Sequence, residues 1–347
     1  FEVNYDKLRD DDKKLSVDQT ITLTNKGTST EMITLGLQDM ATGHELNINP
    51  TSLPLAAGAS QDITVSGKVP TNVDQGTKLM GKLKLTTTSG QSSLFDLNSE
   101  VQSMLEIKKM VIYVNEQEEK IVDQDDEKLS NLEPGDKVEL HFQLENLFDS
   151  DYDYGDISGT INIQLDDSEF NGDVDDEDSF EVEAGQKLNS KDDEVVLKFT
   201  VPTKAESGDY VMDIEIDAKD DNKAKHETKW TLNVEVNRKK DDVRIETLVV
   251  TPTEVSCFRK VEVTTKVTNY GENSQKHAAL TLVNTDLGLN MKQEFSLQKG
   301  TADDNFETKQ VTLDLANKLA AGTYPIVATA FFDFNSYSDK KVINLVV

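Results

Sequence analysis

The residues best suited to chemistry in this chain are closely spaced carboxylates near its middle. Gly172 and Val174 stand at positions 6 and 8 of the twelve-residue run 167–178, whose candidate ligands are Asp167, Glu169, Asn171, Asp173, Asp175 and Asp178. In a calcium loop, alternate residues turn their oxygens towards one point, and glycine permits the sharp bend between them. The spacing therefore predicts a weak Ca²⁺ loop of the extracellular type.

Two substitutions and the surrounding sequence depart from that pattern. Glu169 stands at position 3 in place of Asp or Asn, and Asp178 at position 12 replaces the longer, bidentate Glu. The sequence also predicts no helices on either side of the run. The alternative interpretation is an acidic hairpin tip that is simply solvated.

A second acidic run lies just upstream of the first. Asp149, Asp151 and Asp153 alternate with other residues, among them Tyr152 and Tyr154. Period-2 alternation places the carboxylates on one face and the aromatic rings on the other. We expect this run to form a second oxygen cluster beside the first, so that Ca²⁺ would lock this part of the chain or bridge it to a neighbour.

The sequence lacks the motifs of common enzymes. It contains no G-x-S-x-G, S-x-x-K or H-E-x-x-H pattern and no phosphate-cradling glycine loop. His141 and His226 fall at strand positions and are interpreted as surface or edge residues. The lone Cys257 is interpreted as a buried structural thiol. We predict that the protein is not an enzyme.

Charge and composition exclude several classes of partner. The 347 residues carry 65 acidic and 36 basic side chains, for a net charge of −29, and this surplus would repel nucleic acid phosphates. No stretch is apolar for long enough to form a membrane-spanning helix. The chain begins at Phe1 rather than Met, which would suit a secreted protein whose signal peptide has been removed.

The strongest pattern is an internal repeat. An alternating strand ends in Asn25, in Asn146 and in Asn269, which lie 121 and 123 residues apart. We refer to these three residues as the repeat asparagines, and we expect each side chain to bond to turn backbone at the end of its strand. The runs that open the three copies are aligned as 1–5, 105–113 and 243–250.

The strands between these marks alternate with period 2 and are punctuated by Gly, Pro and Asn. This pattern predicts antiparallel sheets packed face to face. The predicted fold is all-β, with three tandem immunoglobulin-like β-sandwich domains over 1–103, 104–240 and 241–347, the middle one enlarged by acidic insertions. Both junctions are short and unlike Gly/Ser linkers, so the domains should form a semi-rigid rod.

The segments Thr24-Asn25-Lys26-Gly27 and Val267-Thr268-Asn269-Tyr270-Gly271 resemble cell-adhesion-type β-sandwich repeats of prokaryotic surface proteins. Tandem arrays of such domains, acidic, rich in Lys and nearly free of Cys, look like S-layer proteins of small-genome archaea. The resemblance implies secretion to the cell surface, self-assembly into a lattice and divalent cations at contacts. It carries over no catalytic residues.

The sequence therefore predicts an extracellular structural protein that assembles with copies of itself and, in some settings, with other surface proteins or glycans. Two alternatives stay open. One is a filament or adhesin stalk that binds another surface or a glycan, and the other is the accessory region of a secreted hydrolase.

Overall fold

A computed structural model describes residues 1–188, 195–256 and 259–347 of the chain. Cys257 lies outside the described residues. The structure is built almost entirely of strands, with one short 3₁₀ helix at Tyr5–Lys7, so the all-β prediction is confirmed. For description, residues 1–103, 104–240 and 241–347 are called units 1, 2 and 3.

Unit 1 contains two facing sheets. One has the order β1-β8-β7-β3-β5 and the other β2-β6-β4. The strands are β1 (Glu2–Val3), β2 (Lys14–Thr24), β3 (Glu31–Gln38), β4 (Glu45–Asn49), β5 (Ser52–Leu55), β6 (Ser60–Pro70), β7 (Gly76–Thr87) and β8 (Ser92–Val101). All pairings are antiparallel except that of β1 with β8.

Unit 2 also contains two sheets, of five strands each. In one, the order is β10-β9-β12, with β15 and β16 both on β12, and in the other it is β11-β18-β17-β13-β14. The strands are β9 (Leu105–Val114), β10 (Gln117–Val122), β11 (Glu127–Leu132), β12 (Lys137–Asn146), β13 (Ile157–Leu165), β14 (Val174–Val182), β15 (Lys187–Leu188), β16 (Val195–Thr200), β17 (Gly208–Asp220) and β18 (Lys225–Val236). The pairing of β11 with β18 is parallel.

Unit 3 has sheets of three and four strands, with the orders β19-β20-β23 and β22-β21-β24-β25. The strands are β19 (Val243–Thr251), β20 (Lys260–Asn269), β21 (Gln275–Asn284), β22 (Leu289–Leu297), β23 (Phe306–Asp314), β24 (Thr323–Phe332) and β25 (Ser336–Val346). Alternate residues of the inner strands are buried, as period-2 patterning requires.

A hydrogen bond typical of immunoglobulin-like sandwiches occurs twice. The hydroxyl of Tyr210 donates to the carbonyl oxygen of Glu206, and that of Tyr324 donates to Ala320, at 2.9 and 2.8 Å. Each tyrosine stands near the start of its strand, where such a tyrosine corner fixes the incoming turn. Lys78 stands at the matching position of unit 1.

The repeat asparagines bond as predicted. The amide nitrogen of Asn269 donates to the carbonyl oxygens of Asn273 and Gln298, and its side-chain oxygen accepts from the Gly271 N–H. Asn25 and Asn146 each make the same three kinds of bond. The alignment of the three asparagines is therefore structural.

The alignment of the opening runs holds for two copies and is wrong for the third. β9 and β19 both pair antiparallel with the strand that ends in the repeat asparagine, β12 or β20. In unit 1, β1 pairs instead in parallel with β8, as β11 does with β18. A short apolar run at the start of a copy does not by itself reveal which sheet it joins, which explains the error.

Among the described residues, every sheet lies within one unit. The apolar core, in contrast, crosses the boundary between units 1 and 2. One continuous buried cluster contains Val3, Tyr5 and Leu8 of unit 1 together with Met104 and Phe148 of unit 2. Unit 3 has a core of its own. The domain boundary at 103/104 stays a prediction. No described helix is long and apolar enough to cross a membrane.

Candidate functional site

The twelve-residue run predicted as a calcium loop is divided between a turn and a strand. Residues 166–173 connect β13 to β14, whereas Asp175 and Asp178 lie within β14, opposite Gln164 and Ile161 of β13. Successive strand residues point to opposite faces, so these two carboxylates, three residues apart, project to different sides of the sheet. They do not converge with the turn residues.

The turn itself is organised by an aromatic anchor. Phe170 is fully buried and packs edge-to-face on Tyr210, with ring centroids 5.0 Å apart. Around it, the Asp167 side chain accepts from the Glu169 N–H at 2.8 Å, and Asn171 takes a left-handed backbone conformation with φ of 58°. The exposed side chains of Glu169 and Asp173 complete the turn.

The second acidic run lies at the junction between units 1 and 2. The Arg9 guanidinium pairs with the Asp149 carboxylate at 2.8 Å, and the other oxygen of Asp149 accepts from the Asp151 N–H. Backbone hydrogen bonds join Asp10 to Asp151 and Asp153, at 2.6 and 3.0 Å. This run therefore holds the two units together through arginine and backbone.

The sequence predicts that the aromatic rings alternating with these carboxylates are packed. Tyr152 is buried, as predicted. Its hydroxyl accepts from the Asn222 amide at 2.6 Å. Tyr154 is partly buried and carries the Lys13 ammonium over its ring at 4.0 Å.

In the part of the chain that the structure describes, no group of three or more His, Cys, Asp or Glu side chains is placed to hold a metal ion. Neither predicted acidic set is brought together into an oxygen cage, and the prediction of Ca²⁺ rests on the sequence and the charge.

A buried His–Asp pair lies at the first junction, where sequence reasoning expected a surface histidine. His226 and Asp220 are each about 2% exposed, and the His226 Nε2 and Asp220 Oδ2 atoms are 3.6 Å apart. The Met104 N–H donates to His226 Nδ1 at 3.2 Å, so Nε2 carries the proton in the neutral ring and faces the carboxylate. The interpretation of His226 as a surface or edge residue is wrong.

A signal in the sequence could have revealed this burial. His226 shares its parity with Leu232, Val234 and Val236 of the same strand, which all point inwards. Asp220 likewise shares the parity of Ile214 and Ile216 on β17. A polar residue in phase with a buried apolar series indicates a polar contact inside the fold.

The phenol of Tyr5 completes this polar cluster. Its hydroxyl donates to the Pro70 carbonyl oxygen at 2.8 Å. Burial, and secondly the charge of Asp220, raise the pKa of Tyr5 far above its usual value, so the hydroxyl stays a donor. Units 1 and 2 therefore meet at a buried cluster of polar side chains.

The second junction is built on Arg238. Its guanidinium donates to the carbonyl oxygens of Ala205, Thr203 and Tyr270, at 2.5, 2.5 and 2.7 Å. The side chain is 8% exposed, and burial lowers its pKa, although an arginine keeps its charge in proteins. Two of the carbonyls belong to unit 2 and one to unit 3, so a single side chain ties both units.

A second arginine reinforces this junction from the surface. Arg244 of unit 3 pairs with Glu133 of unit 2 at 2.8 Å and with its neighbour Asp242 at 2.6 Å. Its guanidinium also stacks over Tyr270, 4.7 Å from the ring centroid. Within unit 2, Lys239 forms an ion pair with the same Glu133 at 2.6 Å.

Arginine usage is the signal for these contacts. The chain holds only four arginines among 36 basic residues, and Arg9, Arg238 and Arg244 all lie at junctions. The planar five-donor guanidinium suits partly buried contacts with several acceptors, which the point charge of Lys does not. A rare arginine in a Lys-rich chain therefore marks a fixed contact.

No protein-family model and no curated protein sequence matches this chain. Solved structures similar to it include red sea bream transglutaminase at 10% identity and a TM-score of 0.25, over 70% of this chain and 32% of that one. The CupB2 chaperone of Pseudomonas aeruginosa is 8% identical, with a TM-score of 0.21, over 63% of this chain and 92% of that one.

Dimeric latent PorU of Porphyromonas gingivalis is 11% identical, with a TM-score of 0.26, over 92% of this chain and 30% of that one. The chain thus spans about a third of the length of the transglutaminase and of PorU. Structural similarities this weak carry no argument about function.

Proposed function

We propose that this protein is an extracellular structural protein without enzymatic activity, a self-assembling surface-layer subunit. The observation that carries the proposal is that both junctions between its units are closed by buried contacts. Arg238 bonds to carbonyls on both sides of the second junction, and one apolar core runs through the first.

A lattice subunit must hold its contact surfaces at fixed distances. A small change in the angle between its domains would displace those surfaces and misalign neighbouring copies in the lattice. Domains within one chain usually move relative to each other unless their interface is large and apolar. The first junction is apolar in this sense, because one buried cluster runs through it. The second junction is held by directional polar contacts and not by a shared apolar core. These contacts are the hydrogen bonds of Arg238 and the ion pair between Arg244 and Glu133.

Copies of this chain would repel each other unless cations intervene. The net charge of −29 opposes close approach, and the β14 edge of unit 2 is densely acidic, with exposed Asp175, Glu177 and Asp178. We propose that Ca²⁺ or another divalent cation neutralises such faces between copies, which requires no preformed cage within one copy.

Assembly in the presence of cations tests this proposal. The purified chain would be incubated with Ca²⁺, with Mg²⁺ or with a chelator, then pelleted and viewed by negative-stain microscopy. We expect ordered two-dimensional arrays with a divalent cation and dispersed particles with the chelator. A chain that stays monomeric at every cation concentration contradicts the proposal.

Variants identify the faces that the cations neutralise. Asp175→Asn combined with Glu177→Asn should shift the cation concentration needed for assembly, whereas Asp62→Asn with Asp96→Asn, also exposed but on unit 1, should leave that concentration nearly unchanged. Equal effects of both pairs would indicate general charge screening rather than a contact through β14.

A filament or adhesin stalk is the second candidate, because the same closed junctions suit a spacer that holds a binding surface away from a cell. Binding of the monomeric chain to an immobilised polysaccharide, without arrays, would favour this candidate.

A further inference from the structure

Unit 1 lacks a strand that both other units contain. The strands that end in the repeat asparagines are β2, β12 and β20. β12 lies between β9 and β16, and β20 lies between β19 and β23. Within unit 1, all of which the structure describes, β2 pairs with β6 only. No described strand pairs with its other edge.

The strands that fill this place in units 2 and 3 share one register. Leu105 lies opposite Asn146, and Val243 lies opposite Asn269. Each strand then carries one extra residue after its third position, Lys108 in β9 and Glu246 in β19, at a β-bulge. Two strands of different sequence therefore enter the sheet in the same way.

They also share one pattern of apolar residues. Positions 1, 3, 6 and 8 of each strand face inwards. The bulge at position 4 shifts the inward pattern by one residue between positions 3 and 6. These residues are Leu105, Ile107, Met110 and Ile112 in β9, and Val243, Ile245, Leu248 and Val250 in β19, all buried except the partly buried Leu248. A strand that pairs with this edge of β12 or β20 therefore carries apolar residues at positions 1, 3, 6 and 8.

In unit 1, the corresponding place is an open cleft of about 850 Å³ between β2 and the facing sheet, whose mixed lining also contains Lys26, Glu31 and Asp96. Its apolar lining includes Ile21, Leu23, Ile33, Leu83, Leu85 and Phe95. Ile21 and Leu23 are only half-buried, although Phe142 and Leu144, their counterparts on β12, are completely buried. Phe95 is 52% exposed.

The short parallel strand β1 closes only one end of this cleft. It pairs with Glu100 and Val101 at the end of β8, and the Phe1 ammonium donates to the Asn98 carbonyl oxygen at 2.9 Å. The cleft beyond Asn98 stays open on the side of β2.

The second half of β2 carries none of the usual protection against edge pairing, although Lys14 and Asp18 lie in its first half. Its segment 19–24 reads Gln-Thr-Ile-Thr-Leu-Thr, without charge or proline. Three other edge strands are guarded, since β14 is acidic, β25 carries Asp339, Lys340 and Lys341, and β5 contains Pro54. Natural proteins use such charges and prolines to block edge pairing, so this edge is free to pair.

We propose that the unit 1 cleft is an acceptor site for an extended peptide strand. The strand runs antiparallel to β2, begins opposite Asn25, and places apolar side chains at positions 1, 3, 6 and 8. Its backbone completes the β2 sheet, and its apolar side chains cover Ile21, Leu23 and Phe95, a form of β-strand addition. This inference does not depend on the proposed surface-layer function.

Peptides taken from the chain itself are the probes. Calorimetric titration of the full chain with peptides of residues 105–114 and 243–251 should show binding of one peptide per chain. Amide hydrogen exchange should then slow over 19–24. A control peptide of residues 105–114 carrying Ile107→Asp and Met110→Asp should not bind, because it breaks the apolar pattern and keeps the length.

A matched pair of variants locates the site on the protein. Phe95 and Leu94 are neighbours on β8 with the same 52% exposure, and only Phe95 lines the cleft. Phe95→Asp should weaken peptide binding by about tenfold or more, since it places a charge where an apolar contact forms. Leu94→Asp should leave the affinity unchanged.

Three results would overturn the inference. The first is the absence of peptide binding at concentrations up to about 1 mM. The second is an equal loss of affinity in the Leu94 and Phe95 variants. The third is a dimer of the chain whose contacts map to β2 and which the peptide does not dissociate, because a second folded copy would then cover the cleft. The first two results leave the proposal of array formation untouched.

Discussion

At the residue scale, the repeat asparagines show how one side chain can recur for a structural reason. Asn146 and Asn269 are buried at the end of a strand. Each side chain donates hydrogen bonds to two carbonyl oxygens and accepts one from a backbone N–H. An aspartate in the same place could not donate, and an alanine could neither donate nor accept. The asparagine is therefore required by the turn and not by a ligand.

We expect Asn269→Ala to lower the free energy of unfolding by about 2–3 kcal/mol, because buried carbonyls lose their donor. Asn25→Ala is the matched control. Asn25 makes the same bonds at a partly exposed site, where water can replace the amide, so its loss should cost about 1 kcal/mol or less. Urea unfolding of both variants measures the difference, and equal costs would contradict this account of burial.

The Glu145 carboxylate should give unit 2 part of its pH dependence. A hydrogen bond from Lys187, at 2.9 Å, holds the pKa of Glu145 below its usual value. A carboxyl group whose pKa is lowered by folding stabilises the protein above its unfolded pKa of about 4.3, and that contribution disappears as the pH falls through the folded value.

Glu145→Gln should therefore be less stable than the native chain at pH 7, by a few tenths to about 1 kcal/mol because the pair is partly exposed. The difference should shrink below about pH 4.3 and close only once the pH has fallen through the lower pKa of the folded state. Urea unfolding at several pH values measures it. A difference that stays constant from neutral to acid pH would show that Glu145 acts through packing and not through its charge.

At the element scale, strand periodicity and turn residues predict much of this fold. The alternating runs that end in the repeat asparagines became β2, β12 and β20, and the Gly-x-Tyr segments near 208 and 322 became the two tyrosine corners. These features are local, since a two-residue period or a turn depends on neighbours in the chain.

The sequence did not reveal what depends on pairing across the chain. The segment 1–5 looks like the openings of the other copies but joins the opposite sheet, because a short apolar run fits either sheet of a sandwich. The acidic run over 167–178 has the composition of a loop, yet its second part continues as β14 because it pairs with β13. In both cases the structure of the segment depends on the strand with which it pairs.

Hydrogen exchange should distinguish the three corresponding strands. β12 and β20 are paired on both sides, whereas β2 is paired with β6 alone. About half of the amides in an antiparallel edge strand point away from its partner, so we expect roughly every second amide over 19–24 to exchange rapidly. Those in the middle of β12 and β20 should be protected, and equal protection of all three strands would show that the edge of β2 is covered in solution.

At the scale of the whole molecule, the account rests on closed junctions. The first is closed by apolar burial around Tyr5, Met104 and Phe148, and the second by the hydrogen bonds of Arg238. Arg238→Ala should leave three carbonyls without their donor, while the separate core of unit 3 stays intact. The expected effect is freedom between units 2 and 3 rather than unfolding.

Small-angle X-ray scattering in solution tests the central claim, that the three units behave as one stiff body, most directly. The native chain should give a curve that a single arrangement of the units fits, with the same maximum dimension at low and high salt. Arg238→Ala should broaden the distance distribution. Arg259→Ala should match the native curve, because the Arg259 guanidinium donates to the Leu319 carbonyl oxygen within unit 3, at 3.5 Å. A native curve that only a mixture of angles between the units can fit would contradict the account.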